Sequence, residues 1–211
     1  MKDIIVVFLM GYVLGNIQTS YLLGKLIYKV DIRTLGHGNA GTSNAVDSIN
    51  WKFGLVVAFV DIAKGMIAVL IVKQVYQIGF VPGEALLLYV AGYGAIIGHI
   101  YPIFMQFKGG KGTATLVGVL LGFNPLYGIS AMLIIIIFTV ITDYVTLSTV
   151  VLVLSVVALT IFKQMGIGPI SLSIFGALLS LYLHRENFKR IVKHEEGRLS
   201  LFFQKTKKKK V

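Results

Sequence analysis

Long apolar stretches, each closed by a short polar or glycine-rich break, follow one another along nearly the whole chain. A helix rises about 1.5 Å per residue, so about 20 apolar residues cross the ~30 Å hydrocarbon layer of a bilayer. The pattern predicts spans over 4–23, 51–72 and 86–107, a short one from Thr113 to Phe123, then 126–141, 145–162 and 167–183. The fourth is short because Asn124-Pro125 breaks it. Asn16, Gln18, Thr19 and Ser20 interrupt the second half of the first, so that end faces protein or water rather than lipid. The first stretch reads as a retained span: a cleaved signal peptide has a shorter apolar core, and the only basic flank is Lys2 beside Asp3. The expectation is an all-α membrane protein, a polytopic bundle of about seven transmembrane helices in one domain over 1–211, with a basic tail over 184–211.

Composition agrees: 56% of residues are hydrophobic, 14% are charged and mean hydropathy is +0.82, too apolar for a soluble domain of this size. A net charge of +11 would point to nucleic acid in a soluble protein. Here the charge sorts by side, and no nucleic-acid partner is expected. One side collects Lys25, Lys29, Arg33, Lys52, Lys108, Lys111 and the ten basic residues from Arg185 to Lys210; the other has Lys2, Lys73 and Lys163. That bias puts the amino terminus outside and the carboxyl terminus in the cytoplasm. The terminal TKKKK suits either anionic headgroups or plain solvation. With no cysteine, disulfide and thiol chemistry are excluded.

On this topology the polar clusters gather on the cytoplasmic side, in 24–50, 108–112, 142–144 and the segment after 183. The stretch GHIYPIFMQFKGGKGTAT, Gly98 to Thr115, ends in a turn where Gly109, Gly110 and Gly112 leave backbone N–H groups open to an anion and Lys111 adds a charge. It is not a nucleotide P-loop, which would need glycine at Met105 and a hydroxyl at Gly112. The first loop, DIRTLGHGNAGTSN from Asp31 to Asn44, has Gly36, Gly38 and Gly41 for a second anion nest. Asn39, Asn44, Thr42 and Ser43 offer donors to it. Ordinary readings stay open for both: a glycine turn between spans, and a capping loop ahead of a helix.

Taken together, DIR-x-x-G-x-GN-x-G-x-x-N, D-x-x-KG at Asp61–Gly65, GH-x-x-P-x-x-x-x-FKGGKG-x-AT and HREN resemble the bacterial acyl-phosphate:glycerol-3-phosphate acyltransferases, over about residues 11 to 198. The resemblance implies a seven-span enzyme of the inner membrane with a cytoplasmic active site. It implies transfer of a fatty acyl group from acyl phosphate to the 1-hydroxyl of glycerol 3-phosphate, the first step of phospholipid synthesis, with no cofactor or metal. Acyl phosphate is a mixed anhydride with a good leaving group, so the protein need only hold two anions, align hydroxyl with carbonyl and offset developing charge. The family's phosphate-binding turn maps onto Gly36, Gly38, Asn39, Gly41 and Asn44, its lysine onto Lys111, and its terminal pair onto His184 and Asn187. His99 matches the motif histidine, although a histidine in an apolar span is more often a structural hydrogen-bonder. Asp61 and Lys64, three apart on one helical face, read as a structural pair.

Departures from the pattern mark a divergent member. His37 replaces the serine of G-S-G-N, and Asp47 stands where the first motif ends in arginine. The family's T-R-Y-V-S-L becomes Thr142-Asp143-Tyr144-Val145-Thr146-Leu147, G-S-x-P becomes Gly15-Asn16-Ile17-Gln18, and G-x-E-x-K is blurred in HEEGRLS. Thr146 keeps the hydroxyl; Asp47 reverses a charge by two units. Because these changes fall largely on the acceptor side, two other readings stay open: a transferase with another acceptor, and an inactive lipid-binding paralogue.

Overall fold

The computed structural model describes residues 1–201, and every regular element in them is helical. In chain order these are α1 (Lys2–Gly15), α2 (Thr19–Leu23), a π-helical turn (Gly24–Tyr28), α3 (Thr42–Ser48), α4 (Trp51–Tyr76), α5 (Leu86–Ile100), α6 (Thr113–Phe123), α7 (Pro125–Thr142), α8 (Val145–Phe162), α9 (Ile167–Leu183) and α10 (Arg185–Val192), with single 3-10 turns at Ile32–Thr34 and Ile103–Met105. The chain folds as two compact units, Met1–Gly128 and the part from Ile129 onward.

In the first unit, glycine lets helices touch backbone to backbone. A Cβ at Gly11 or Gly15 of α1 would collide with the carbonyls of Ala91 and Ala95 on α5, and one at Gly94 or Gly98 would strike the backbone of Phe8 or Tyr12. Gly65 of α4 lies against the Thr115 carbonyl of α6, and Gly118 of α6 against that of Ile62. Small residues at such crossings supply close packing where lipid offers no hydrophobic drive. Away from these crossings Phe80 stacks on Phe123 with ring centres 4.6 Å apart, and Tyr89 packs on the same ring. The Lys73 ammonium donates to the Phe123 carbonyl at 2.8 Å, which closes the end of α6.

The first span is broken where a continuous one was predicted. Between α1 and α2 the chain leaves helical geometry at Gln18, and the freed carbonyls are met from within the protein. Gln18 donates to the Gly15 carbonyl at 3.3 Å and Lys64 to that of Ile17 at 2.6 Å. Gln18, Thr19 and Ser20 are buried, so the polar end faces protein. The third span also stops early, at Ile100, because Pro102 leads into a short turn where Gln106 and Phe107 both take positive φ. Of the helices not anticipated as such, α3 opens the second half of the first loop and α10 carries part of the basic segment.

In the second unit α8 packs on α9, and the buried Thr139 hydroxyl donates to that of Ser148 at 3.0 Å between α7 and α8. The boundaries predicted for α8 and α9 match those observed. Proline at the first position of α7 loses no hydrogen bond, and the Asn124 Oδ1 accepts the Leu126 N–H at 2.9 Å. Among the described residues five helical stretches are long and apolar enough to cross a membrane. The pair α9 and α10, bent by 47°, would make a sixth, and α6, with 11 residues, is too short to cross alone.

Candidate active site

The first loop is built from its own polar side chains. Arg33 grips both oxygens of Asp31, from Nε at 3.0 Å and Nη2 at 2.8 Å, and its Nη1 donates to the Met105 carbonyl at 2.9 Å. The guanidinium holds the Asp31 carboxyl below the usual range. Gly36 and Gly38, at φ +51° and +69°, then turn the chain back over α3. Asn44, 1% exposed, is the staple: its amide donates to the carbonyls of Ile32 at 3.0 Å and Asn39 at 2.7 Å, while its oxygen accepts the His37 N–H at 2.7 Å. Asn39 accepts the Gly41 N–H at 2.9 Å. These asparagines therefore shape the loop's backbone, where the sequence had offered their amides to an anion. The N–H groups of Thr42, Ser43 and Asn44 have no acceptor within α3. Beside them the Thr42 hydroxyl is buried with no hydrogen-bond partner among the described residues.

His37 and Asp47 face each other on this loop and on α3, with Nε2 and Oδ2 3.4 Å apart. Both remain accessible, at 26% and 43% side-chain exposure, so the pair sits at the surface of the nest.

The glycine-rich turn lies directly against the first loop. The Ala40 N–H donates to the Gly109 carbonyl at 3.2 Å, and the buried Ser20 hydroxyl donates to the Ala40 carbonyl at 2.6 Å. Gly109 and Gly110 return their N–H groups to the carbonyls of Ile100 and His99 at 3.0 and 3.1 Å, so these two donors, expected to be open to an anion, are bonded within the protein. Neither position admits a side chain, since a Cβ at Gly109 would strike the His99 carbonyl and one at Gly110 the His99 ring. Gly112, at φ +86°, starts α6, so Lys111 immediately precedes a helix N-terminus. The first N–H groups of that helix lack intrahelical acceptors and carry partial positive charge. Lys111 itself is half-buried.

Beneath the turn is a buried ionic cluster. Lys64 Nζ lies 2.8 Å from Asp61 Oδ1 and 2.8 Å from His99 Nδ1, so the pair anticipated from the sequence spacing forms and includes the motif histidine. The His99 carbonyl also accepts from Gln18 at 3.0 Å.

The remaining candidates belong to the second unit. Thr146 and Asn187 both donate to Glu196 Oε1, at 3.3 and 2.5 Å, and Arg190 Nε donates to Oε2 at 2.7 Å. His184, also buried, sits at the join of α9 and α10 with Nδ1 2.8 Å from the Ser180 carbonyl. Asp143, at φ +68°, accepts the Ser200 hydroxyl at 2.6 Å and the Ser200 N–H at 2.7 Å, and these bonds hold its carboxyl below the usual range. The aspartate at the family's arginine position thus clasps the segment after α10.

Ser20, Arg33 and Glu196 each tie two segments of this machinery together and were not singled out from the sequence. Arg33 was within reach through its motif DIR. Ser20 showed only as polarity within an apolar span, its partner lying 20 positions on, and Glu196 joins Asn187 and Arg190 nearby to Thr146, 50 positions away.

Long apolar helices, with two glycine-rich turns side by side next to a lysine, mark an integral membrane protein. The glycerol-3-phosphate acyltransferase family model matches residues 5–194, a match that runs through both compact units, and the chain belongs to that family. It is 37% identical over 199 residues to glycerol-3-phosphate acyltransferase 1 of Oceanobacillus iheyensis, covering 93% of this chain and 95% of that protein. Its fold is similar to a crystal structure of PlsY (YgiH), an integral membrane glycerol 3-phosphate acyltransferase in the glycerol 3-phosphate form. That similarity has a TM-score of 0.83 and 30% identity over 93% of this chain and 95% of that one. The lysophosphatidic acid form of PlsY gives 0.79 and 28%, over 92% and 94%.

Proposed function

We propose that this chain transfers a fatty acyl group from acyl phosphate to the 1-hydroxyl of glycerol 3-phosphate, releasing 1-acylglycerol 3-phosphate and inorganic phosphate. The observation that carries this reading is the Ala40–Gly109 hydrogen bond, which sets the two glycine-rich anion turns side by side. In this assignment the Gly109–Gly112 turn and Lys111 hold the donor phosphate at the start of α6, while the first loop and the start of α3 hold the acceptor phosphate. With both anions fixed, the acceptor hydroxyl meets the acyl carbonyl without a covalent enzyme intermediate. His184, Asn187 and Thr146 are assigned to the same reaction from the second unit. The PlsY forms named for glycerol 3-phosphate and lysophosphatidic acid support these as acceptor and product. Purified protein given palmitoyl phosphate and glycerol 3-phosphate tests the reading. It requires acylglycerol phosphate and free phosphate in equal amounts; a product acylated with thioester donors alone would reject the donor.

The basic asymmetry supports an amino terminus outside and both turns on the cytoplasmic side of a bacterial inner membrane, an orientation that needs the short α6 as a seventh crossing beside the longer helices. A cytoplasmic signal from a reporter fused within 73–84 would overturn that orientation. One observation favours a second reading with a different acceptor: the accessible Asp47 carboxylate beside the first loop repels a phosphate unless His37 offsets it.

A further inference from the structure

The ionic cluster under the glycine turn buries charged groups whose desolvation is costly unless they pair. Asp61, Lys64 and His99 are 1%, 3% and 3% exposed and join three places in the first unit: α4, the break between α1 and α2, and the end of α5. Lys64 Nζ has hydrogen-bond contacts to the Ile17 carbonyl at 2.6 Å and His99 Nδ1 at 2.8 Å, and it is ion-paired with the Asp61 carboxylate at 2.8 Å. Paired with the Asp61 carboxylate, Lys64 is an ammonium with no lone pair, so its contact with His99 requires a lone pair on Nδ1. Asp61 Oδ1 lies 3.5 Å from the same nitrogen, farther than the lysine at 2.8 Å. A neutral imidazole that accepts at Nδ1 carries its proton on Nε2. That edge of the ring is where a Cβ on Gly110 would fall, so it faces the turn's backbone. The His99 carbonyl fixes the Gly110 N–H as well.

We infer that Asp61 and Lys64 are positioning residues that lock His99 into the Nε2–H tautomer, and that the locked ring presents its donor edge to the Gly109–Gly112 turn and sets that turn for its anion. The chain of contacts runs from Asp61 through Lys64 to His99 and then to Gly110. Its effect on turnover rests on the reading of this turn as the donor-phosphate site; the tautomer itself does not.

The test uses the full chain in phospholipid nanodiscs with ring-15N histidine. NMR reads the protonation of each nitrogen, and His99→Gln identifies the His99 signals among those of His37, His184 and His194. The expected result is a protonated Nε2 and a bare Nδ1. A proton on Nδ1, or on both nitrogens, overturns the inference. Kinetics supply the second arm in Asp61→Asn with Lys64→Met, which removes the buried pair without stranding a charge. That variant should show mixed tautomers and lose at least about tenfold in kcat, with KM for glycerol 3-phosphate within about threefold of wild type. A folded variant with wild-type kcat overturns the positioning role. The expected tautomer in a wild-type chain that transfers no acyl group would instead reject the functional reading and leave the lock standing.

Discussion

The two units of this chain hold polar groups in opposite ways. In the first, glycine-rich backbone is bent into two turns whose N–H groups mostly bond within the protein, held from behind by groups such as Asn44, Ser20 and His99. In the second, side chains meet one another directly, with Thr146, Asn187 and Arg190 converging on Glu196. A backbone site tolerates no added volume but is indifferent to many changes of side-chain chemistry. A side-chain site tolerates a change of shape but depends on each donor and acceptor. Departures from the family pattern occur in both units: the glycines of both turns are intact, while charge changes fall at Asp47 in the first and Asp143 in the second.

The steepest break in this comparison comes from volume. Gly110→Val would drive a branched side chain into the His99 ring, and overpacking of that kind costs about 1–3 kcal/mol even where neighbours yield. The expected outcome is a loss of more than about a hundredfold in kcat/KM with the protein still extracted and monodisperse. Activity within about threefold of wild type would place the turn away from the substrate.

Next in size is the loop's charge. If Asp47 merely weakens acceptor binding, Asp47→Arg should restore a charge-assisted contact of about 1.5–3 kcal/mol and lower KM for glycerol 3-phosphate about ten- to a hundredfold. The 3.4 Å contact between His37 and Asp47 favours a working pair instead. Asp47→Arg and His37→Ser should then each raise that KM, and the double variant should fall short of the sum of the two effects. Measuring KM across the three variants separates the cases.

Smaller effects are expected at the side-chain site. Glu196→Gln leaves Arg190 without its charged partner at a position still partly open to solvent, at a cost of about 1 kcal/mol, or a few degrees in Tm. Thr146→Ser keeps the hydroxyl that reaches Glu196 and should stay within about 0.5 kcal/mol of wild type by the same melt. Equal destabilisation by both would contradict Glu196 as the hub.

The same division explains what could be read from the chain. Spans such as 145–162 and 167–183 were legible to the residue because Asp143, the break at 163–166 and His184-Arg185 interrupt the apolar run locally. Gly109, Gly110 and Gly112 were legible for the same reason. The break at Asn16–Gln18 was visible only as misplaced polarity. What permits it is a lysine 47 positions away that caps the Ile17 carbonyl, and no local pattern records that. Asn44 was read as a ligand because an exposed amide in a glycine loop would be one; burial turned it inward. Glu196 lay in a segment that looked blurred against its motif, and only tertiary packing makes it the meeting point of three side chains.

The central claim is that the backbone turn carrying Lys111 holds the donor phosphate during transfer. Its most direct test is phosphate release from palmitoyl phosphate, with and without glycerol 3-phosphate, in wild type and in Lys111→Ala. One charge-assisted contact is worth more than about 1.4 kcal/mol, so release should depend on the acceptor in wild type and fall at least about tenfold in the variant. Release that ignores the acceptor, or a Lys111→Ala enzyme with near-normal kcat/KM, would contradict the account.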